Sequence, residues 1–141
     1  MAGIVVGVED SKPARAALEW AVRFANAEQL PVTVITVIER FEATSFWGGD
    51  AAGDPSPSSL SAIREKLTEM VDTSFGDESH VPVQIDVIVG HPVEELVRAS
   101  DGADLLVVGS RGAGPFGRLL LGSTSNGVAH HAQCSVTIVK T

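Results

Sequence analysis

The chain of 141 residues carries a formal net charge of −8, with 44% apolar and 20% charged residues. This composition is typical of a globular protein with a proper core, excludes a disordered chain, and disfavours general binding of DNA or RNA. No apolar run reaches the roughly 18 residues that a membrane span requires. The length predicts one domain over residues 1–141. The charge and the short apolar runs predict that neither nucleic acid nor a membrane is a partner.

The amino-terminal residues and the cysteine content indicate the compartment. An apolar run begins directly after Gly3 with no basic segment before it, so no signal peptide is expected and a cytoplasmic protein is predicted. The single cysteine, Cys134, excludes an internal disulfide and a multi-cysteine metal site. Because it stands beside a predicted strand, Cys134 is expected to be a buried small apolar residue and not a reactive thiol.

The first part of the chain predicts two strands joined by a helix. Residues Ile4 to Val8 are rich in β-branched side chains and do not alternate, which predicts a strand buried on both faces. Ser11 is a suitable N-cap for a helix that runs to about Glu28. The apolar face of that helix consists of Ala17, Trp20, Ala21 and Phe24. The second strand is predicted at Val32 to Ile38.

A long irregular segment follows, over residues 39–58. It is rich in glycine and proline and contains Phe41, Phe46 and Trp47. A loop of this length inside a compact domain is usually functional or disordered. Its aromatic side chains could fold over a ligand, pack on the body of the domain or meet a partner, and the sequence leaves these three options open.

The remaining elements alternate between helix and strand. A helix begins at Ser58 or Ser59. In the next strand Gln84 and Asp86 alternate with apolar residues, which predicts an edge strand with one exposed face. The other predictions are strands over Val83–Val89, Leu105–Val108 and Ser135–Val139, and helices over Val93–Ser100 and Ser123–Ala132.

Strands that alternate with helices predict an α/β fold: a doubly wound, five-stranded parallel sheet with helices on both faces and right-handed crossovers. The expected strand order is 3-2-1-4-5, which places the switch point between the first and fourth strands. Ligands of such sheets bind outside the carboxyl ends of the strands at the switch point. Residues 8–10 and 108–110 are therefore expected to border a binding site.

The segment after the fourth strand has features of a phosphate-binding loop. Residues 105–141 carry a net charge of +3 from Arg111, Arg118 and Lys140 with no acid, whereas the rest of the chain carries −11. A strand that leads through a glycine-rich loop to a helix start can hold phosphate with backbone N–H groups. Buried strands and tight loops also contain few acids for structural reasons, so the charge distribution alone favours an anionic ligand only weakly.

Three familiar motifs do not fit this loop. Residues 112–117 match G-x-G-x-x-G, but the helix begins too late and no acid follows, so a dinucleotide fingerprint is rejected. The lysine of a Walker A loop is absent, which argues against a P-loop ATPase. Ser110 lacks the first glycine of a nucleophile elbow, and the sequence does not place His130 or His131 relative to it, so a hydrolase triad has little support.

The pattern that remains is Gly109-x2-Gly112-x9-Gly122-Ser123. This pattern spans the third and fourth of five segments that carry a resemblance and follow one another along the chain. They are Val-Val-Gly-Val-Glu-Asp-Ser at 5–11, Val-Gly-His-Pro-Val-Glu-Glu-Leu at 89–96, Asp-Leu-Leu-Val-Val-Gly-Ser-Arg-Gly at 104–112, Leu-Leu-Leu-Gly-Ser at 119–123 and His-His-Ala-Gln-Cys-Ser-Val-Thr-Ile-Val at 130–139. In these segments the chain resembles the universal stress protein family over essentially its whole length. The glycine pattern resembles that of the family's ATP-binding branch.

The resemblance implies a role for each matching residue of the loop. Gly109 and Gly112 would let the backbone approach ribose and phosphates. Arg111 would pair with a phosphate or with a surface acid. The helix start would bind phosphate oxygens through amides and hydroxyls, which suits the unsatisfied N–H groups and the dipole at that end. Its residues are Gly122, Ser123, Thr124 and Ser125, of which Ser123 is also a candidate N-cap.

The nucleoside would contact residues at the ends of the first two strands. The resemblance implies Val8 and Glu9 on one side, and Val37 through its backbone on the other. Glu9 stands where the family usually has Asp, and Asp10 stands where it often has Gly. These two departures bear on the affinity and choice of nucleotide and not on the fold.

The function implied by the resemblance is a stress-response module that binds ATP and hydrolyses it slowly or not at all. No catalytic residue is identified, because no general base or phosphate-reaching lysine stands near the loop. No residues have metal-ligand spacing, so Mg²⁺ would arrive with the triphosphate. Two alternatives stay open: a binder of AMP or cyclic AMP, and a nucleotide-free interaction protein whose pocket at Glu9 has lost affinity.

The resemblance also implies a homodimer formed through the last strand, residues 135–139. That strand is apolar and is expected to lie at an edge of the sheet, where a bare strand invites pairing. The sequence identifies neither the stress signal nor a downstream protein partner.

Overall fold

The computed structural model describes residues 3–8, 12–39, 57–75, 81–110 and 122–140. Over these ranges strands and helices alternate as the sequence predicts. The elements are β1 (Ile4–Gly7), α1 (Lys12–Glu28), β2 (Val32–Ile38), α2 (Pro57–Phe75), β3 (Val83–Val89), α3 (Pro92–Ser100), β4 (Leu105–Gly109), α4 (Ser123–His131) and β5 (Ser135–Val139). The predicted bounds differ from these by a residue or two, and α2 and α3 both begin at a proline, a residue that the first turn of a helix tolerates.

The described strands form one parallel sheet in the order β3-β2-β1-β4-β5, which confirms the predicted doubly wound α/β fold. The central strands β1 and β4 are buried over most of their length, as expected for continuous apolar runs between two helical layers. The strands β3 and β5 lie at the two edges, and both edge positions agree with the predictions.

Two apolar clusters hold the layers together, one on each face of the sheet. The first lies between the sheet and helices α1 and α2, and includes Ile4, Val6, Leu18 and Leu67. The second lies between the sheet and helices α3 and α4, and its buried members are Val5, Ile35, Leu96, Leu106, Val108 and Val128. Alternate residues of β1 and β4 therefore supply opposite faces, which fixes the register of the central strands.

One side chain of α2 bonds to the outer edge of strand β3. The Pro82 carbonyl accepts the Val32 N–H, and the Gly90 N–H bonds to the Ile38 carbonyl. The backbone groups of even-numbered residues in and beside β3 therefore face β2. The carbonyl of Ile85 consequently faces outwards. There it accepts a hydrogen bond of 2.8 Å from the Arg64 guanidinium of α2.

Helix α1 ends in a left-handed residue. Gln29 has φ of 57°, and the Leu30 N–H bonds back to the Ala25 carbonyl at 3.1 Å. This is the arrangement in which helices usually place glycine, because a Cβ is strained there. The Gln29 side chain also donates to the Asn26 carbonyl at 2.7 Å.

Candidate functional site

The chain leaves the carboxyl ends of β1 and β4 towards opposite faces of the sheet. Helix α1 follows β1 and packs in the first apolar cluster, whereas α4 follows β4 and places Val128 in the second. The two strands are neighbours, with Val6 paired to Val107. This divergence creates the switch-point crevice in which doubly wound sheets bind ligands.

The first turn of α4 is bonded directly to the end of β4. The Ser110 carbonyl, one residue beyond that strand, accepts the Gly122 N–H at 2.7 Å and the Ser125 hydroxyl at 2.8 Å. The Ser110 N–H in turn donates to the Val139 carbonyl of β5 at 2.9 Å. The two backbone groups of Ser110 thus join β4, β5 and α4 at the crevice. The sequence could not show this, because no side-chain pattern marks a carbonyl.

Gly122 is the N-cap of α4. It has extended backbone angles, φ of −65° and ψ of 164°, and its carbonyl accepts the first intrahelical bond from the Asn126 N–H at 2.9 Å. The suggestion that Ser123 is the N-cap is therefore wrong by one residue. The carbonyl of Ser110 holds Gly122 at the junction, so the helix begins one position earlier than a side-chain cap at Ser123 would allow.

The amides of the first turn suit an anion. Because α4 begins at Ser123, the N–H groups of residues 123–125 have no carbonyl within the helix to bond. The first turn of α4 contains no acid, and its last turn carries His130 and His131. Helix α3 also begins at this edge of the sheet, but Glu94 and Glu95 occupy its first turn. Of these two helix starts, that of α4 is the better site for a negative ligand.

The predicted residues that the structure describes lie along the carboxyl edge. The Val8 side chain is only 7% exposed and belongs to the first apolar cluster, so its backbone alone is available to a ligand. Val37 is half-buried and packs against the second cluster, on the opposite face. Gly109 ends β4, Ser123 is exposed, and Thr124 is half-buried. The Val8 N–H bonds to the Ile35 carbonyl at 2.9 Å, which fixes β1 against β2 at this edge.

Several predictions fall on other parts of the chain. Glu9, Arg111 and Gly112 lie outside the described residues, as do Ser11, Arg118 and the G-x-G-x-x-G match at 112–117. The same holds for residues 40–56, which include the three aromatic residues of the long segment.

A groove of about 720 Å³ lies at the opposite edge of the sheet, between β3 and α3. Its lining includes Pro31 and Pro82 at the amino ends of strands, and Asp86, whose carboxylate accepts hydrogen bonds of 3.1 Å from the Gln84 amide. The groove is thus separate from the switch point. Its size is no argument for placing a nucleotide there.

The described residues lack two kinds of feature. No three His, Cys, Asp or Glu side chains among them form a group that could hold a metal ion. No helix in the same ranges combines the length and the apolar character needed to cross a membrane.

Comparisons with known proteins agree with the fold. The family model described as "Universal stress protein family" matches residues 2–140. A universal stress protein of Mycolicibacterium smegmatis is 33% identical over 140 residues, which is 97% of this chain and 47% of that protein. The chain therefore spans about half the length of the curated relatives it matches.

Solved structures of universal stress proteins share the fold of this chain. The universal stress protein UspA from Lactobacillus plantarum superposes with a TM-score of 0.77 at 21% identity, over 98% of this chain and 97% of that chain. A universal stress protein solved in complex with cAMP superposes with a TM-score of 0.69 at 27% identity, over 99% and 96% of the two chains. Both similarities extend over practically the whole fold.

Proposed function

The chain belongs to the universal stress protein family, and on this premise we propose that it binds an adenine nucleotide, with ATP as the first candidate, at the carboxyl edge between β1 and β4. The observation that carries the proposal is the start of α4. Its first turn contains no acid, has amides without helical partners and is bonded to the end of β4 through Ser110. A polyphosphate is the kind of ligand that this arrangement attracts.

The proposed site combines the two sides of the crevice. Backbone groups of Val8 and Val37, together with Glu9, would contact the nucleoside. Phosphates would lie against the glycine loop and the helix start. Those residues are Gly109, Arg111, Gly112, Gly122, Ser123, Thr124 and Ser125. Mg²⁺ would enter with the triphosphate, held by phosphate oxygens and water.

Cyclic AMP is the second candidate. The related structure at 27% identity was solved in complex with cAMP, so the same fold accommodates a cyclic monophosphate in that protein. A monophosphate would use fewer of the α4 amides than ATP. The two candidates therefore differ in how strongly binding depends on the first turn of α4.

The biological role that we propose is regulatory: a nucleotide-binding module of a cytoplasmic stress response, with slow hydrolysis at most. We further propose that two copies associate through β5. That strand lies at an edge of the described sheet, next to β4. Its outer backbone groups can therefore pair with a second copy.

Isothermal titration calorimetry of nucleotide-stripped protein with ATP, AMP and cyclic AMP tests the site. We expect ATP to bind and Gly122→Ala to weaken it by at least tenfold, because the added methyl group would stand where phosphate approaches the amides. The backbone angles of Gly122 are open to alanine, so strain would not explain the loss. Gln133→Ala, at an exposed position beyond the other end of α4, is the control that should retain affinity.

The other outcomes separate the alternatives. Preference for a monophosphate would replace ATP with AMP or cyclic AMP as the ligand. No binding of any of the three at millimolar concentration would contradict the nucleotide proposal and favour an interaction protein. Slow phosphate release above background that falls in Gly122→Ala is compatible with the proposal. Rapid release that falls in the same variant would contradict the proposal that hydrolysis is slow at most.

A further inference from the structure

We propose that Ser125 is a positioning residue, whose hydroxyl fixes the first turn of α4 on the end of β4 and is not itself a phosphate ligand. This inference rests on the proposed nucleotide site and assigns a different task to one of its residues. The resemblance implies a hydroxyl that donates to phosphate. The geometry of the side chain points to an internal role.

The Ser125 side chain is enclosed. The residue is 2% exposed, and its Oγ lies 2.8 Å from the Ser110 carbonyl oxygen and 3.1 Å from the Gly122 carbonyl oxygen. A serine hydroxyl has one hydrogen to donate. Both neighbours are carbonyl oxygens and can only accept, so that hydrogen is used within the protein.

A phosphate oxygen that is ionised also needs a donor. The lone pairs of Ser125 Oγ can accept a hydrogen bond but cannot provide one. To bind phosphate, the hydroxyl would have to leave the Ser110 carbonyl and turn out of a buried site. Ser123 is exposed on the same turn and requires no such change.

The bonds made by Ser125 determine where the amides of α4 point. The Ser110 carbonyl holds the Gly122 N–H and the Ser125 hydroxyl together, three residues apart along the chain. Two attachments fix both the position and the rotation of the first turn, whereas one attachment would leave a pivot. Anion binding at a helix start depends on this orientation, because several N–H groups must converge on one ligand.

The substitution Ser125→Ala removes one attachment and keeps the other. The Ser110 carbonyl retains the Gly122 N–H, so no buried carbonyl is left without a partner and the variant should fold. In the ligand-free protein we expect faster hydrogen exchange at the amides of Gly122 and Asn126. For the nucleotide that the wild type binds, we expect Kd to rise roughly three- to tenfold, the usual range for one lost hydrogen bond.

Ser100→Ala is the matched control. Ser100 is the other fully buried serine of the described helices, and its hydroxyl also donates to a carbonyl, that of Val97 at 2.6 Å. It lies at the amino edge of the sheet, near Gln133. Ser100→Ala should lower stability while leaving nucleotide affinity and exchange at Gly122 unchanged. Ser125→Thr keeps the hydroxyl and should restore slow exchange.

The two measurements separate this inference from the function on which it rests. A higher Kd with unchanged exchange in the ligand-free protein would make Ser125 a direct ligand and overturn the positioning role. Unchanged exchange and unchanged Kd would overturn it as well. If the wild type bound no nucleotide, the proposed function would fail, while exchange in the ligand-free protein would still decide whether Ser125 fixes the turn.

Discussion

Two buried serine hydroxyls connect elements that are distant in the sequence. Ser125 joins α4 to the end of β4, and Ser100 accepts the Gln133 N–H at 2.8 Å across 33 positions of the chain. Neither connection could be predicted from sequence, because the partners are backbone groups that every residue possesses. Serine in a helix is usually read as a surface or capping residue, and only the packing shows otherwise.

Removal of the Ser100 hydroxyl should destabilise the fold. In Ser100→Ala the Gln133 N–H loses its acceptor in a part-buried hydrogen bond, and one lost hydrogen bond typically costs about 0.5–1.5 kcal/mol. We expect the free energy of unfolding in urea to fall by that amount. Ser135→Ala, an exposed serine at the start of β5, should change it by less than about 0.5 kcal/mol. Equal effects of the two variants would contradict the role of the Ser100 bond.

A gain in stability is expected at the end of α1. Gln29 holds a left-handed backbone conformation that costs a residue with a Cβ about 1–2 kcal/mol. Gln29→Gly removes this cost, loses an exposed hydrogen bond and adds freedom to the unfolded chain. We expect a net gain of about 0.5–1 kcal/mol in urea unfolding. Glu28→Gly, one residue earlier and still helical, should change stability in the opposite direction.

Cys134 should be a slow nucleophile. Burial of the thiol raises its pKa; a backbone hydrogen bond with Leu106 opposes this shift, and the nearby Asp104 carboxylate adds to it. We expect iodoacetamide to react more slowly with the folded protein than with the urea-unfolded chain. The pH midpoint of labelling should lie above the ordinary thiol value of about 8.5. A midpoint at or below that value would contradict this environment.

The raised pKa of Cys134 also predicts that the stability of the protein falls at alkaline pH. Because the folded pKa of Cys134 lies above the unfolded one, the unfolded chain loses its proton first as pH rises. The contribution of Cys134 to stability is therefore complete below the unfolded pKa and is lost as pH rises through the folded value. Cys134→Ala should remove this component of the alkaline loss.

At the scale of elements, α3 and α4 approach closely at a glycine. A Cβ built on Gly127 would lie 2.7 Å from Cγ2 of Val93 and 2.9 Å from its Cγ1. The β-branched Val93 side chain has little freedom to move away within a helix. The contact between the two helices therefore requires glycine at position 127.

Gly127→Ala should destabilise the protein although alanine favours a helix. The propensity gain is about 1 kcal/mol, while overpacking of a tight contact typically costs about 1–3 kcal/mol. We expect a net loss in thermal or urea unfolding. In Val93→Ala the same Gly127→Ala substitution should become neutral or stabilising, because the methyl groups in its way are gone. An equal loss in both backgrounds would exclude the Val93 contact as its cause.

The boundaries of the elements show where sequence reasoning succeeds and where it stops. Runs of apolar and β-branched residues predicted β2 and β5 correctly to the residue, and polar–apolar alternation did the same for β3, because burial on a pleated sheet dictates their composition. The first residue of α4 was also predicted correctly, but its N-cap was misplaced, because the cap depends on a contact between Gly122 and the Ser110 carbonyl. Local propensity contains no information about such a contact.

For the molecule as a whole, topology was the most predictable property. Alternation of strand and helix together with the rule for right-handed crossovers leaves few possible sheets, and the observed order is the predicted one. The proposed location of the site follows from topology, whereas the proposed ligand does not. The choice of nucleotide in the proposed site would depend on side chains around the crevice, and Glu9 and Arg111 lie outside the described residues.

The proposed dimer can be tested at a single backbone donor. Val139 directs its carbonyl to Ser110, so the N–H of the preceding residue, Ile138, faces the outer edge of β5. Ile138→Pro removes this N–H without breaking the bonds between β4 and β5. We expect light scattering to report a dimer for the wild type and a monomer for Ile138→Pro.

Ile138→Ala is the control for the dimer. It loses most of the packing of the isoleucine side chain against the second apolar cluster but keeps the N–H. It should remain dimeric if the strand edge mediates association. A wild-type protein that is monomeric, or a dimer that survives the proline, would exclude pairing through β5.

The bond between Arg64 and the Ile85 carbonyl has a consequence for how far such an assembly could grow. A sheet with two receptive edges can polymerise, since each added copy presents a fresh edge to the next. Here the guanidinium occupies an outward carbonyl of β3, and pairing through β5 would leave a β3 strand at both ends of the joined sheet. Arg64 would thus hinder a further copy from pairing with β3, and association would stop at two copies.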